Sequence, residues 1–171
     1  YTQPIGRIVE VLGEIDDPGM EIEIAVRKFD VPHRFPDAVI GQSDRLPDKV
    51  RPVDLRDRVD LRDVPLVTID GEDARDFDDA VYCEPAEVTV GRSRSKPGWR
   101  LLVAIADVAH YVKSGDAIDR EALARSTSVY FPRRVIPMLP EKLSNGLCSL
   151  NPQVDRLVLV CDLMIDEDGI C

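Results

Sequence analysis

The chain has 171 residues, 44% of them hydrophobic, which suits one ordinary globular domain or a small module joined to part of a larger one. Enough apolar residues remain to build a core, which argues against a disordered chain, and no apolar run approaches the roughly 20 residues of a membrane helix, so a membrane span is excluded. The 22 basic and 32 acidic residues leave a net charge of −10, a balance that by itself argues against a nucleic-acid binder, whose domain usually carries a basic excess.

In chain order, YTQPIGRIVEV opens without an initiator Met or a signal-peptide pattern, as expected of an internal piece of a longer chain. Gly6 to Gly13 reads as a strand bounded by glycines, with Ile8, Val9, Val11 and Leu12 as its apolar content. Asp17-Pro18-Gly19 then suggests a turn or a helix start, with Asp17 as a candidate N-cap and Pro18 at the first helical position. Met20 to Phe29 is ambiguous: the alternation of Glu21, Ile22, Glu23 and Ile24 suits a strand and the capped start suits a helix, which we favour. Residues 32 to 52 are rich in Pro and Asp, a connector with one short helix around Ala38 to Leu46.

From Val64 the texture becomes mixed α/β. Pro65 to Asp70 is a short strand, Asp79 to Val90 holds a second, and Trp99 to Val112 is apolar enough for a central one. Asp116 to Tyr130 reads as a helix, with Ile118, Ala122, Leu123 and Val129 near helical spacing. Pro132, Pro137 and Pro140 predict extended, irregular chain. Arg156 to Asp166 is a third long strand, and Asp168-Gly169 is a turn signal.

The charge is unevenly placed. From Asp54 to Glu87 there are 12 acidic residues and 4 Arg, and the ten residues Asp70 to Asp79 hold six acids against Arg75 alone. Two basic stretches follow: Arg92, Arg94, Lys96 and Arg100, then Arg120, Arg125, Arg133, Arg134 and Lys142. Cys83, Cys148, Cys161 and Cys171 show no CxxC spacing, and His33 and His110 lie far apart, so zinc is not expected. Cysteine use of this kind suits reduced thiols and a cytoplasmic location.

The chemistry is concentrated in IDGEDARDFDDAV, Ile69 to Val81. Asp70 closes an apolar strand, and Gly71 lets the backbone turn beside it. On an ideal strand Asp76 and Asp78 share one face while Phe77 and Asp79 share the other, so four converging carboxylates require a bend or loop. Phe77 is expected to anchor that loop against the core. Carboxylates packed closely repel unless some are protonated or a cation is bound. Oxygen-only donors point to Mg²⁺ or Mn²⁺, ions suited to phosphodiester hydrolysis. An EF-hand is excluded because its central Gly and terminal Glu are misplaced in both registers.

RVDLRDVPLVTIDGEDARDFDDAV, LVAIADVAHYV and STSVYFPRRVIPMLPEKLSNGLCSLNPQVDRL together resemble the ribonuclease II/ribonuclease R family of RNB-domain exoribonucleases. The resemblance implies an α+β (mixed α/β) fold made of parts: the tail of an OB-fold (cold-shock) domain over residues 1–30, a linker with a short helix over 31–60, and the N-terminal part of an RNB catalytic domain over 61–171. Five OB strands cannot fit before Asp30, and the RNB domain is expected to continue beyond Cys171, drawing further catalytic residues, an arginine included, from there. It implies a 3′→5′ exoribonuclease that processively releases nucleoside 5′-monophosphates from the single-stranded 3′ end of RNA. Carried over, Asp70, Asp76, Asp78 and Asp79 hold the catalytic Mg²⁺ (Mn²⁺ a substitute), Asp78 is the residue essential for cleavage, and Tyr130 stacks on a base near the 3′ end. Without the resemblance Tyr130 reads as a core aromatic at a helix end.

Arg133 and Arg134 are candidate phosphate contacts or ordinary surface. Asp107, inside an apolar strand, needs a partner if buried and suits a structural role, and His110 suits packing rather than base catalysis. The basic stretches, with domains outside this chain, are where RNA phosphates are expected to be held. Two other readings were weighed: an RNA-binding scaffold with a non-catalytic RNB fold, opposed by the presence of all four aspartates, and a Ca²⁺-binding structural module, for which no loop spacing exists. The whole protein is expected to be monomeric with no membrane partner, and this fragment alone inactive or nearly so.

Overall fold

The computed structural model describes residues 5–72, 74–90 and 94–171, the side chains of Val90 and Arg94 excepted. Tyr1 to Pro4, Asp73 and Arg92, all named above, lie outside the described residues. Helix α1 spans Met20–Lys28 and α2 spans Asp37–Asp44. A 3₁₀ turn covers Pro52–Leu55. Strands β1 (Asp79–Val90) and β2 (Arg94–Ala106) follow, then α3 (Val108–Tyr111) and α4 (Ala117–Arg125). The short strands β3 (Val129–Phe131) and β4 (Arg134–Ile136) precede a π-helix at Lys142–Leu147 and strand β5 (Val158–Asp166).

The main sheet is antiparallel in the order β1-β2-β5. Its register sets Asp79 opposite Ile105 and Val103 opposite Cys161. Gly98 is required where it stands: a Cβ there would meet the Ile165 carbonyl oxygen and, at 2.6 Å, Val88 Cγ2. On the sheet surface Trp99, Ile105, Leu159 and Met164 remain exposed.

The larger core joins Val39 of α2, Tyr111 of α3, Ile118 of α4 and Leu143, Leu147 and Cys148 of the π-helix segment with Ala106, Leu139 and Leu157. A smaller cluster packs Ile22 and Val26 of α1, one helical turn apart, on Ile136 of β4. Helix α1 is favoured at both ends by charge: Glu21 and Glu23 lie in the first turn, Arg27 and Lys28 in the last. Gln42 of α2 completes the start of α4. Its Oε1 accepts the N–H groups of Ala117 (3.1 Å) and Ile118 (3.2 Å), and its Nε2 donates to Asp116 at 2.6 Å.

Several expectations need correction. Gly6 to Gly13 forms no strand; Ile8, Val9 and Val11 are more than four-fifths exposed, because the ladder partners such a strand needs are not among the described residues. Met20 begins a helix, as favoured, but Asp17 does not cap it. The N-cap is Gly19 at φ 88°, a left-handed position suited to glycine, while Asp17 Oδ2 accepts the Glu14 N–H at 2.9 Å. Pro65 to Asp70 makes only an isolated antiparallel bridge, Val67 to Val81.

The central strand ends at Ala106 rather than Val112. Asp107 breaks it by accepting the His110 N–H at 3.1 Å, which starts α3. Likewise the helix from Asp116 stops at Arg125, Ser126 taking φ 65°, so Tyr130 belongs to a hairpin and not to a helix end. The Pro-rich segment after it is irregular only in part, since it contains β4 and the π-helix.

Candidate active site

The aspartate segment is assembled from three directions. Val67 and Val81 exchange both backbone hydrogen bonds at 2.9 Å, an isolated antiparallel bridge three residues before Asp70 and two after Asp79. Asp79 opens β1 against Ile105, and the Ala106 N–H donates to the Asp78 carbonyl at 2.9 Å. Residues 74–78 run as a loop with neither helix nor strand, the departure from regular pleating that four converging carboxylates require. The anchoring of that loop differs from expectation: Phe77 is only half-buried and belongs to neither apolar cluster. Its backbone is held instead, the N–H by Ser149 Oγ at 3.1 Å and the carbonyl by the Leu150 N–H at 2.8 Å.

Asp70, Asp78 and Asp79 are exposed and Asp76 is half-buried. Partial burial, then the charges of Asp76, Asp79 and Asp70, push the Asp78 carboxyl above its usual range. Asp78 therefore lies close enough to the other three carboxylates to feel their charge. Among the described residues, no three His, Cys, Asp or Glu side chains already stand at ligating spacing. The chemistry of the donor set, all carboxylate and mutually repulsive, fits a hard divalent cation and offers nothing for a soft one.

Tyr130 reaches this site from β3: its hydroxyl donates to Asp76 Oδ2 at 2.6 Å, while the residue as a whole stays 63% exposed. That bond, then burial, pushes the Tyr130 hydroxyl upward. The Tyr130–Asp76 contact, across 54 positions in sequence, is a link that sequence reasoning missed. The two arginines of the hairpin separate. Arg133 is exposed and makes no side-chain hydrogen bond or ion pair among the described residues, whereas Arg134 is bound to Glu23 of α1.

The basic stretches are largely engaged. Lys96 pairs with Asp168 at 2.7 Å and Arg100 with Asp162 at 2.6 Å. Arg125 is buried against Glu121 at 2.8 Å, and Lys142 reaches Asp48 at 3.0 Å. Paired in this way, they leave fewer free cations than their spacing along the chain suggests.

Asp107 has the partner its burial demands, Arg58 at 2.6 Å. His110 packs edge-on against Tyr111 and sets Nε2 3.2 Å from Asp54 Oδ1, a structural role rather than a catalytic one. All four cysteines are free thiols. Cys148 is buried, and its thiol is pushed up to about 12 by burial and then by the charges of Asp78 and Asp107, so it is inert.

Comparison with known proteins matches the RNB domain to residues 58–171 and a cold shock domain to residues 1–36. Ribonuclease R of Vibrio parahaemolyticus is 56% identical over 165 residues, covering 96% of this chain and 19% of that protein. Ribonuclease R of Escherichia coli is 56% identical over 168 residues, covering 98% and 20%. This chain thus spans about a fifth of the length of these relatives. The structure of Mycoplasma genitalium RNase R in complex with double-stranded RNA superposes with a TM-score of 0.81 at 37% identity, covering 94% of this chain and 27% of that one. With the RNB match alone covering well over half of its length, the chain belongs to the RNB-domain family, that of ribonuclease R.

Proposed function

We propose that the full-length protein bearing this chain is a cytoplasmic, monomeric 3′→5′ exoribonuclease that degrades RNA processively to nucleoside 5′-monophosphates. The observation that carries this reading is the aspartate loop after Asp70, with Asp76, Asp78 and Asp79 on it and the Tyr130 hydroxyl bound to Asp76 at 2.6 Å, in a chain of the RNB-domain family. RNase R of Mycoplasma genitalium was solved with RNA bound, which supports RNA as the substrate. We assign residues 1–30 to the tail of a cold-shock domain, 31–60 to a linker and 61–171 to the first part of the catalytic domain. The remaining part supplies further catalytic groups, so this piece alone is inactive or nearly so.

Asp70, Asp76, Asp78 and Asp79 would hold Mg²⁺, or Mn²⁺ in its place, drawing inward from their present spacing. When bound, such an ion supplies charge neutralisation at the phosphodiester and a lowered proton affinity of water. Asp78 orients the attacking water and accepts its proton at a carboxylate oxygen. Tyr130 offers its exposed ring as a stacking platform, tolerant of sequence because every base has a π-face, with the hydroxyl fixed on Asp76. Arg133 contacts RNA phosphate, and Arg134 does so on release from Glu23.

The test places Asp78→Asn in the full-length protein and follows degradation of an end-labelled RNA separately from RNA affinity. Turnover is expected to fall at least about 100-fold with affinity retained, and EDTA to stop the wild type. Near-wild-type turnover of the variant would sink the assignment.

A further inference from the structure

Two of the proposed ligands, Asp76 and Asp78, flank Phe77, and the backbone around Phe77 is gripped by a single side chain. The Ser149 hydroxyl donates to the Arg75 carbonyl at 2.8 Å and accepts the Phe77 N–H at 3.1 Å, straddling Asp76. Leu150 adds its N–H to the Phe77 carbonyl at 2.8 Å, and Ala106 ties the Asp78 carbonyl at 2.9 Å. The loop is therefore laced to two fixed elements at four points, two of them through one hydroxyl.

Ser149 is 0% exposed in an otherwise apolar run, Leu147-Cys148-Ser149-Leu150. An alanine would fill that niche nearly as well, so packing does not call for the hydroxyl. What calls for it are a donor and an acceptor in a segment that forms neither helix nor ladder. Its own place is firm. The Cys148 N–H closes the wide π-turn on Leu143 at 2.9 Å, the Ser149 N–H reaches Gly146 at 3.1 Å, and Arg156 Nε donates to the Ser149 carbonyl at 2.7 Å. The loop it holds carries mutually repelling carboxylates, and an unrestrained loop would relieve that repulsion by spreading.

We propose that Ser149 is a positioning residue of the aspartate site: its hydroxyl fixes the Arg75–Phe77 backbone and so the spacing at which Asp76 and Asp78 meet a divalent cation. The proposal rests on the role given above to the aspartates, and its test separates the two. Ser149→Ala in the full-length protein is expected to lower kcat about 10- to 100-fold, the range typical of groups that orient metal ligands. Mn²⁺ affinity, titrated by electron paramagnetic resonance without RNA, is expected to weaken with it, and RNA affinity in EDTA to stay at the wild-type value. Ser149→Cys, similar in volume but a weaker donor and acceptor, is expected to fall between, and it carries the same reading should the alanine variant fail to fold. Wild-type kcat and Mn²⁺ affinity in the Ser149 variants, beside an inactive Asp78→Asn, would overturn the role of Ser149 alone. So would a loss of RNA affinity in step with kcat. An active Asp78→Asn would overturn the aspartate assignment and this proposal with it.

Discussion

Tyr130 touches the aspartate loop through its hydroxyl, held on Asp76, while much of its side chain stays exposed; in the function proposed above, a base stacked on the ring would be placed relative to Asp76. Tyr111 is its opposite, 6% exposed with a hydroxyl that has no partner among the described residues and that burial pushes up to about 12. An unpaired buried hydroxyl costs stability that Phe would not. Tyr111→Phe is thus expected to leave thermal stability unchanged or raise it by up to about 1 kcal/mol. A clear fall in Tm would reveal a partner for the hydroxyl. At this scale the carboxylates were legible because six acids in ten residues have few explanations. Ser149 was not, because a lone Ser in an apolar run announces only that it needs partners and not which ones.

Among the elements, α4 fastens the segment at Arg34 and Phe35 to the chain near Pro137. Arg125, 8% exposed, reaches Glu121 (2.8 Å), the Arg34 carbonyl (2.8 Å) and the Pro137 carbonyl (3.2 Å), and its guanidinium lies 3.8 Å over the Phe35 ring. Arg125→Ala is expected to destabilise the protein by about 1.5–3 kcal/mol, the worth of hydrogen bonds to a buried charge. Arg125→Lys should recover only part, because an ammonium lacks the planar fork and stacks poorly. Thermal or denaturant unfolding reads both; equal stability of all three proteins would show that the fork is not needed. Strands β1, β2 and β5 were readable from their long apolar runs, and α2 from its place between prolines. The hairpin of β3 and β4 was hidden because it is secured by α1, a hundred residues earlier in the chain, through Ile22, Val26 and Ile136. Likewise the apolar pattern across Asp107 gave no hint that its carboxylate would cap a new helix.

Over the whole molecule, the net charge of −10 includes the carboxylates around Asp78 and carboxylates already answered by arginine, Asp107 and Asp162 among them. Asp54 is of the second kind. The Arg51 side chain and N–H, with His110 adding to them, hold its carboxyl well below the usual range. A carboxyl lowered by folding contributes stability that is complete above its unfolded value of about 3.9 and disappears as pH falls through the folded value. Thermal stability is therefore expected to drop as pH falls below about 4. Asp54→Asn should begin lower at pH 7 and vary less in that range; an unchanged profile would remove Asp54 from the acid transition.

What the sequence determined by itself was the chemistry on offer: an all-oxygen donor set of the kind hard divalent cations prefer, on a loop after a short apolar segment. Residue type alone decides which ions carboxylates prefer. The tertiary structure decided which charges are free and what holds the loop. Lys96, Arg100 and Arg134 are matched by Asp168, Asp162 and Glu23, partners 62 to 111 residues away in sequence. Ser149 crosses more than seventy residues to reach Arg75 and Phe77. Such pairings depend on how strands and turns meet in space, which no local pattern of residues encodes.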